Sequence, residues 1–245
     1  MRVFARATAL AALVLGVVVA EGEARDRRPR ESLFIGLDTS GAFYRAGHEE
    51  ALPFLAHYLY GHLNGLGGLS TPLDVFVGAI GSDDSEDASL AGKTIAQIEQ
   101  TLRHRFPPTD TLTHFNVFFR RVARIAAERN LLLRPVTVVL ITDGLPDVAA
   151  ASPSLGSGGA YRQIDLGPLE YLAQRVTVRL AYVSPPVAER WRTLVPRERV
   201  RLATVSHEVM RGWRTQVRPT ADPAAQEPLW QWMRENVDVR VRRNT

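Results

Sequence analysis

Two kinds of hydrophobic spacing alternate along this chain. Short runs with little polar interruption, Leu33 to Leu37, Leu73 to Ile80, Val138 to Ile141, Val176 to Val183 and Val200 to Val205, have the length and apolar content of buried strands. Between them the apolar residues recur every three or four positions, as on one face of a helix. His48 to Leu63 carries Leu52, Leu55, Ala56, Leu59 and Leu63 on such a stripe, and Thr94 to Arg105 carries Ile95, Ile98 and Leu102. Thr113 to Arg129 is strongly amphipathic, with Val117, Val122, Ile125 and Ala126 toward the sheet and Arg120, Arg121, Arg124 and Glu128 toward solvent. A helix ending within Leu169 to Gln174, another over Pro186 to Leu194 and a last one over Glu227 to Asn236 complete the set; Trp230, Trp232 and Met233 in the last are read as core. Gly61, Gly65, Gly67 and Gly68 mark where the first helix frays, and Ala149 to Gly159 reads as a flexible loop. Strands alternating with helices predict an α/β fold, a doubly wound, mostly parallel sheet flanked by helices on both faces.

The chemistry sits at the ends of two of those runs. Leu33 to Leu37 is followed by Asp38-Thr39-Ser40-Gly41-Ala42, and Val138 to Ile141 by Thr142-Asp143-Gly144. In a parallel sheet both aspartates reach the same edge, the edge where doubly wound sheets bind ligands. Taken singly, each turn is what a helix cap looks like, since aspartate and serine accept orphan backbone N–H bonds at a helix start. Their order, and their separation by about one hundred residues, single them out as a pair.

An aspartate-x-serine-glycine turn after the first strand and a threonine-aspartate-glycine turn after a later one resemble the von Willebrand factor A-type domain. That resemblance implies a metal-ion-dependent adhesion site. Its ligands would be Asp38, Ser40, a loop threonine best matched by Thr113 (with Thr111 and then Thr109 as fallbacks) and Asp143. The ion implied is magnesium or manganese, a hard cation that takes oxygen ligands and keeps several waters. Ala42 stands where the family has a second serine, so a water must fill that position for the site to be whole; otherwise it is weakened or lost. The resemblance further implies a binding module that recognises a partner protein through an acidic side chain completing the ion's coordination.

Other chemistries find less in the residues. Gly36 to Gly41 has the glycine spacing of a phosphate-binding loop, but Ala42 and Phe43 stand where lysine and a hydroxyl are needed. There is no glycine-x-serine-x-glycine elbow, and without cysteine no thiol nucleophile or thiolate metal site exists. His57 and His62 lie on different faces of their helix. A metal-assisted hydrolase built on Asp38 and Asp143 is the rival reading, with His114 or Asp147 as its base. A metal-independent scaffold subunit of a cell-envelope assembly is a third. The leading expectation is a binding protein and not an enzyme.

Length and composition alter this picture little. The 245 residues are 45% hydrophobic and 23% charged, ordinary for a globular protein. Arg2 and Arg6, the apolar stretch Ala7 to Ala20 and the small residues Val18-Val19-Ala20 read as a signal peptide over 1–20, or a retained anchor in the lesser reading. A linker over 21–32 and a single domain over 33–245 would follow, with a secreted or periplasmic location. Loss of the leader takes the formal net charge from +4 to +2, and arginine is scattered, so no nucleic-acid surface is expected. The acidic stretch Ser82 to Asp87 reads as a solvated loop, and Arg240 to Arg243 as a solvated basic end with no membrane role beyond the leader's.

Overall fold

A strand that is apolar along its whole length has to be covered on both faces, and in a parallel sheet the crossover connections supply that cover. The computed structural model describes residues 31–81, 89–108, 113–132, 134–146, 156–172 and 175–239. The leader, most of the linker, the acidic stretch, Thr109, Thr111, Asp147, 149–155 and the basic end lie outside these residues.

The strands are β1 (Ser32–Leu37), β2 (Asp74–Ala79), β3 (Val136–Ile141), β4 (Val176–Val183) and β5 (Arg201–Ser206), in the spatial order β2-β1-β3-β4-β5 with every pairing parallel. β1, β3 and β4 are buried at every position, whereas β5, at one edge, is mostly half-buried. The chain runs outward from β1 to β2, then returns past β1 to build β3, β4 and β5. The winding direction therefore reverses between β1 and β3, whose carboxyl ends open into the crevice such a reversal creates. Among the described residues no antiparallel strand joins this sheet.

Helices pack on both faces. On one lie α1 (Glu49–Leu63), α2 (Ile95–Arg105), α7 (His207–Arg211) and α8 (Glu227–Asn236), contributing Phe54, Tyr58, Ile98, Leu102, Met210, Trp230 and Met233 to a core with Leu33, Ile35, Val139 and Ile141. On the other lie α3 (Phe115–Glu128), α4 (Gly156–Arg162), α5 (Gly167–Glu170) and α6 (Pro185–Leu194), where Phe115, Phe118, Phe119, Tyr161, Leu169 and Trp191 cover Phe34, Val138, Leu140 and Leu180. α1 continues without a break from a short turn, Gly41–Phe43, and a π-turn, Tyr44–His48. α2 starts at a capping box in which Thr94 and Gln97 satisfy each other's backbone N–H groups.

Three expectations are corrected. A helix over Gly156–Arg162 begins inside the stretch Ala149 to Gly159, whose glycine and serine content suggested loop. Val117 and Ile125 are only half-buried; Phe115, Phe118 and Phe119 carry the inner face of α3 instead. Arg121 is buried and not in solvent: its Nη2 donates to the Ala79 carbonyl at 2.8 Å, and its guanidinium fills the space left by the missing side chain of Gly78. An arginine that meets a strand-end carbonyl can be buried where periodicity alone would expose it.

The loop after α1 depends on a glycine for two reasons. Gly67 has φ +55°, and a Cβ there would stand 2.1 Å from the Cβ of Trp230. Gly92 has φ +74° but open space around it. Gly67→Ala is therefore expected to destabilise the fold by more than about 2 kcal/mol, and Gly92→Ala by about 1 kcal/mol. Equilibrium denaturant unfolding of both variants checks the difference; equal costs would mean that backbone conformation alone, not the packing on Trp230, sets the requirement.

Candidate functional site

The reversal point brings three separate segments to one carboxylate. Asp38 follows β1 and is almost completely buried. Its backbone N–H still pairs with the Ile141 carbonyl at 2.9 Å, so the end of β1 is locked to the end of β3. Oδ1 accepts the Ser40 backbone N–H at 2.9 Å, the local turn expected of aspartate two residues before a helix start. Oδ2 accepts the Thr142 hydroxyl at 2.6 Å. The Thr113 hydroxyl, from the loop before α3, lies 3.3 Å from Oδ1 and 3.4 Å from Oδ2.

Thr142 has a single arrangement open to it. Its hydroxyl donates to Asp38 and accepts the Gly144 N–H at 3.0 Å, so the turn carrying Asp143 is tied directly to the first turn. Asp143 Oδ1 accepts the Leu145 N–H at 3.0 Å. Gly144 has φ +76°, and an added Cβ would meet Val183, Val187 and Trp191 at 2.9–3.1 Å. The Trp191 indole, fully buried on α6, donates to the Gly144 carbonyl at 2.8 Å and fixes the turn from the far side.

Ser40 is the helix cap predicted by its position. Its Oγ accepts the Phe43 N–H at 3.4 Å, and it starts the turn Gly41–Phe43. Ala42 is exposed on that turn. The four expected ligands thus share one edge: Asp38, Ser40 and Thr113 are buried in mutual contact or one bond apart, and half-buried Asp143 is joined to them through Thr142.

Several neighbours were not singled out by the sequence. Thr142 is the link between the two turns; a hydroxyl directly before the strand-end aspartate was its signal. Tyr161 on α4 lies within electrostatic reach of Asp143, with the Arg190 guanidinium 5.8 Å above its ring. Burial, opposed by Arg190 and reinforced by Asp143, raises the Tyr161 phenol above its ordinary value. His48, in the π-turn, is buried, with neither ring nitrogen hydrogen-bonded among the described residues. Burial holds its imidazole below the usual value despite the nearby carboxylates of Glu49 and Asp38. Nothing in the sequence distinguished it from other helix-face histidines. His114, by contrast, is exposed at the start of α3 and makes no side-chain cap.

The donor set is entirely oxygen, two carboxylates and two hydroxyls, which suits a hard cation and not a soft one. No group of three or more histidine, aspartate or glutamate side chains arranged for a metal occurs among the described residues. Both oxygens of Asp38 already accept hydrogen bonds from protein donors, so Asp38 suits an outer position, behind a bound water, better than a direct one. Ser40, Thr113 and Asp143 would then be the direct ligands of such an ion, with waters completing the shell. The residues fit such an ion, with fewer protein ligands than the resemblance calls for.

No protein-family model matches the chain, and no curated protein matches it in sequence. Solved structures similar to it include proximal thread matrix protein 1 from the mussel byssus, at 12% identity and TM-score 0.43 over 77% of this chain and 47% of that one. The pilus adhesin SpaC of Lactobacillus rhamnosus GG is similar at 13% identity and TM-score 0.47 over 77% of this chain and 29% of that one. The human COPII-coat protein Sec24c is similar at 13% and 0.42, over 74% and 30%. The chain spans less than half the length of each. Among the described residues no helix is long and apolar enough to cross a membrane.

The hydrogen-bond pattern makes the hub testable by stability. Thr142→Val keeps the shape but strands an oxygen of Asp38 and the N–H of Gly144, and is expected to cost about 2–4 kcal/mol. Trp191→Phe strands the Gly144 carbonyl and leaves a void, and is expected to cost about 1–3 kcal/mol. Ala42→Ser, at an exposed position, is expected to change stability by less than about 0.5 kcal/mol. Denaturant midpoints rank the three; a neutral Thr142→Val would show that water replaces the hydroxyl.

Proposed function

We propose that this chain is a von Willebrand factor A-type binding module that recognises a partner protein at the carboxyl-terminal edge of its sheet, through a divalent ion. The observation that carries the reading is the convergence on Asp38 of Ser40, Thr113 and Thr142, from segments up to 104 positions apart, at the point where the sheet reverses direction. Caps alone would not bring Thr113 and Thr142 to the same carboxylate.

Ser40, Thr113 and Asp143 would hold the ion, with Asp38 acting through water. The ion would supply a fixed positive charge that attracts a carboxylate and holds it with direction. The chain's own part is to hold the hydroxyls and the Asp143 turn in place before any ion arrives, which the bonds through Thr142 and Trp191 do. The rim around them mixes exposed Ala42, His114 and Leu145, the last 46% exposed, a surface of the mixed character that protein interfaces have. A signal peptide and a secreted or periplasmic location agree with such a role and belong to the same proposal.

Thermal unfolding of the full chain in magnesium, manganese or chelator tests the ion directly. A ligand that binds only the native state at one hundred times its dissociation constant adds about 2.7 kcal/mol. The expected result is a rise in midpoint with either metal, abolished by Asp143→Ala and enlarged by Ala42→Ser, which restores a hydroxyl. A midpoint indifferent to metal in the natural protein but responsive in Ala42→Ser would remove the metal and leave a shape-only surface. Indifference in both would remove the site.

A further inference from the structure

The opposite end of the molecule carries a buried charge cluster that the site does not use. On the α1 and α8 side of the sheet, Arg179 stands in mid-strand on β4, flanked by Val139 and Ala203. Its Nη1 donates to the carbonyls of Val237 at 2.7 Å and Val239 at 2.8 Å, and its Nε lies 3.9 Å from the Asp238 carboxylate. Asp238 Oδ1 accepts the Tyr58 hydroxyl at 2.8 Å, and Oδ2 is 3.1 Å from Nε2 of His62. Nδ1 of His62 is 2.7 Å from the Ser70 carbonyl. The Ser70 hydroxyl bonds Glu31, whose other oxygen accepts the Thr137 hydroxyl at 2.9 Å.

His62 therefore has an oxygen near each ring nitrogen: the Ser70 carbonyl, which never donates, bonded at Nδ1, and the Asp238 carboxylate, at ion-pair distance from Nε2 but out of line for a hydrogen bond. Only the doubly protonated ring suits both, because a neutral imidazole would turn a lone pair on one of them. The residue is buried, with 1% exposure, so water cannot replace the lost bond without the cluster opening. α8 ends at Asn236, Val237 packs into the core and Val239 is exposed; among the described residues the backbone here is held by Arg179, by the Asp238 side chain and by the N–H groups of Val237 and Asp238 on the Met233 carbonyl.

We propose that His62, Asp238 and Arg179 form a protonation-controlled latch that fastens the segment Val237–Val239 to the sheet while His62 carries both protons and frees it when one is lost. The charged and titratable groups facing the imidazole are Asp238, Glu31, Tyr58 and Arg179. Burial alone would lower the His62 value, but the Asp238 carboxylate, the Ser70 carbonyl and Glu31 together raise it above 6.5. Burial would raise the Asp238 value, but His62, Arg179 and Tyr58 hold it below 3.8. The histidine's contribution is thus complete below pH 6.5 and is lost as pH rises through its raised folded value. The aspartate's is complete above pH 3.8 and is lost as pH falls through its depressed one. The latch holds between the two.

Amide hydrogen exchange of the full chain between pH 5.5 and 9, corrected for intrinsic rates, reads this locally. Opening at 237–239 is expected to increase about tenfold per pH unit from 6.5 up to the raised folded value of His62 and to level off above it, while the β3 amides stay protected. His62→Gln and Asp238→Asn, each confirmed folded by near-UV circular dichroism, are expected to lose that dependence. Protection at 237–239 that does not vary with pH, or a dependence that persists in both variants, overturns the latch, as does a rise shared equally by β3. Should neither variant fold, an NMR titration of the His62 imidazole in the natural protein decides: a midpoint above 6.5 that coincides with opening of 237–239 supports it, and one at or below 6.5 overturns it.

Discussion

A carboxylate taken out of water has to be given donors, and Asp38 is given its donors by three parts of the chain at once. The demand is strict because an unpaired buried charge costs several kcal/mol, a large share of what keeps a domain folded. Meeting it fixes the Ser40 turn, the Thr113 loop and the Thr142–Gly144 turn against one another. Each is then held again from outside: Ser40 by capping the Gly41–Phe43 turn, Gly144 by Trp191 on α6, β1 by its register with β2 and β3. The upper edge is thus set by the folded chain itself, before any ligand is considered.

The two ends of the sheet solve the problem of buried charge differently. At the carboxyl end one acid is satisfied by neutral donors, a backbone N–H and hydroxyls. At the other end opposite charges are paired, Asp238 with His62 and Arg179, and the pairing joins a strand, a helix and the chain after α8. The second arrangement carries a histidine, whose charge changes close to the physiological range. Rigidity would serve the proposed binding edge, because a site that must reorganise loses affinity to the ordering. A change of state is tolerable at the end remote from it.

Much of this was legible in the sequence, for reasons that differ by residue. β1 and β3 were visible because strands buried on both faces have to be apolar throughout, and α8 because its tryptophans and methionine recur at helical spacing. Asp38, Ser40 and Asp143 were visible as polar residues placed where apolar runs stop, and Thr113 only through the resemblance those turns carry. Arg121 and Arg179 were not, since a side chain with a long apolar stem and a terminal cation reads as surface until a carbonyl is found for it. The pairing of His62 with Asp238 left no local trace because the two residues meet only in three dimensions. Residues 156–162 escaped because helix propensity is a weak prior, and the packing of Tyr161 into the core outweighs the glycines beside it.

Ala42 takes its meaning from the same constraint. Were Asp38 dependent on an ion to be satisfied, losing the second serine would weaken the fold as well as the site, and the edge would be expected to drift. Its oxygens are instead occupied by the protein, and Ala42 is exposed on a turn whose cap, Ser40, is intact. The fold is therefore uncoupled from position 42, and the chain can hold the edge in shape whether an ion is bound or not. Under the proposed reading, position 42 would set the number of oxygens offered to a cation, one fewer than the resemblance implies, and so its affinity more than the geometry. If the proposed binding holds, an edge held rigid by Asp38, with a shortened ligand set beside an exposed Leu145, would shift the burden of recognition from the ion toward the surface around it.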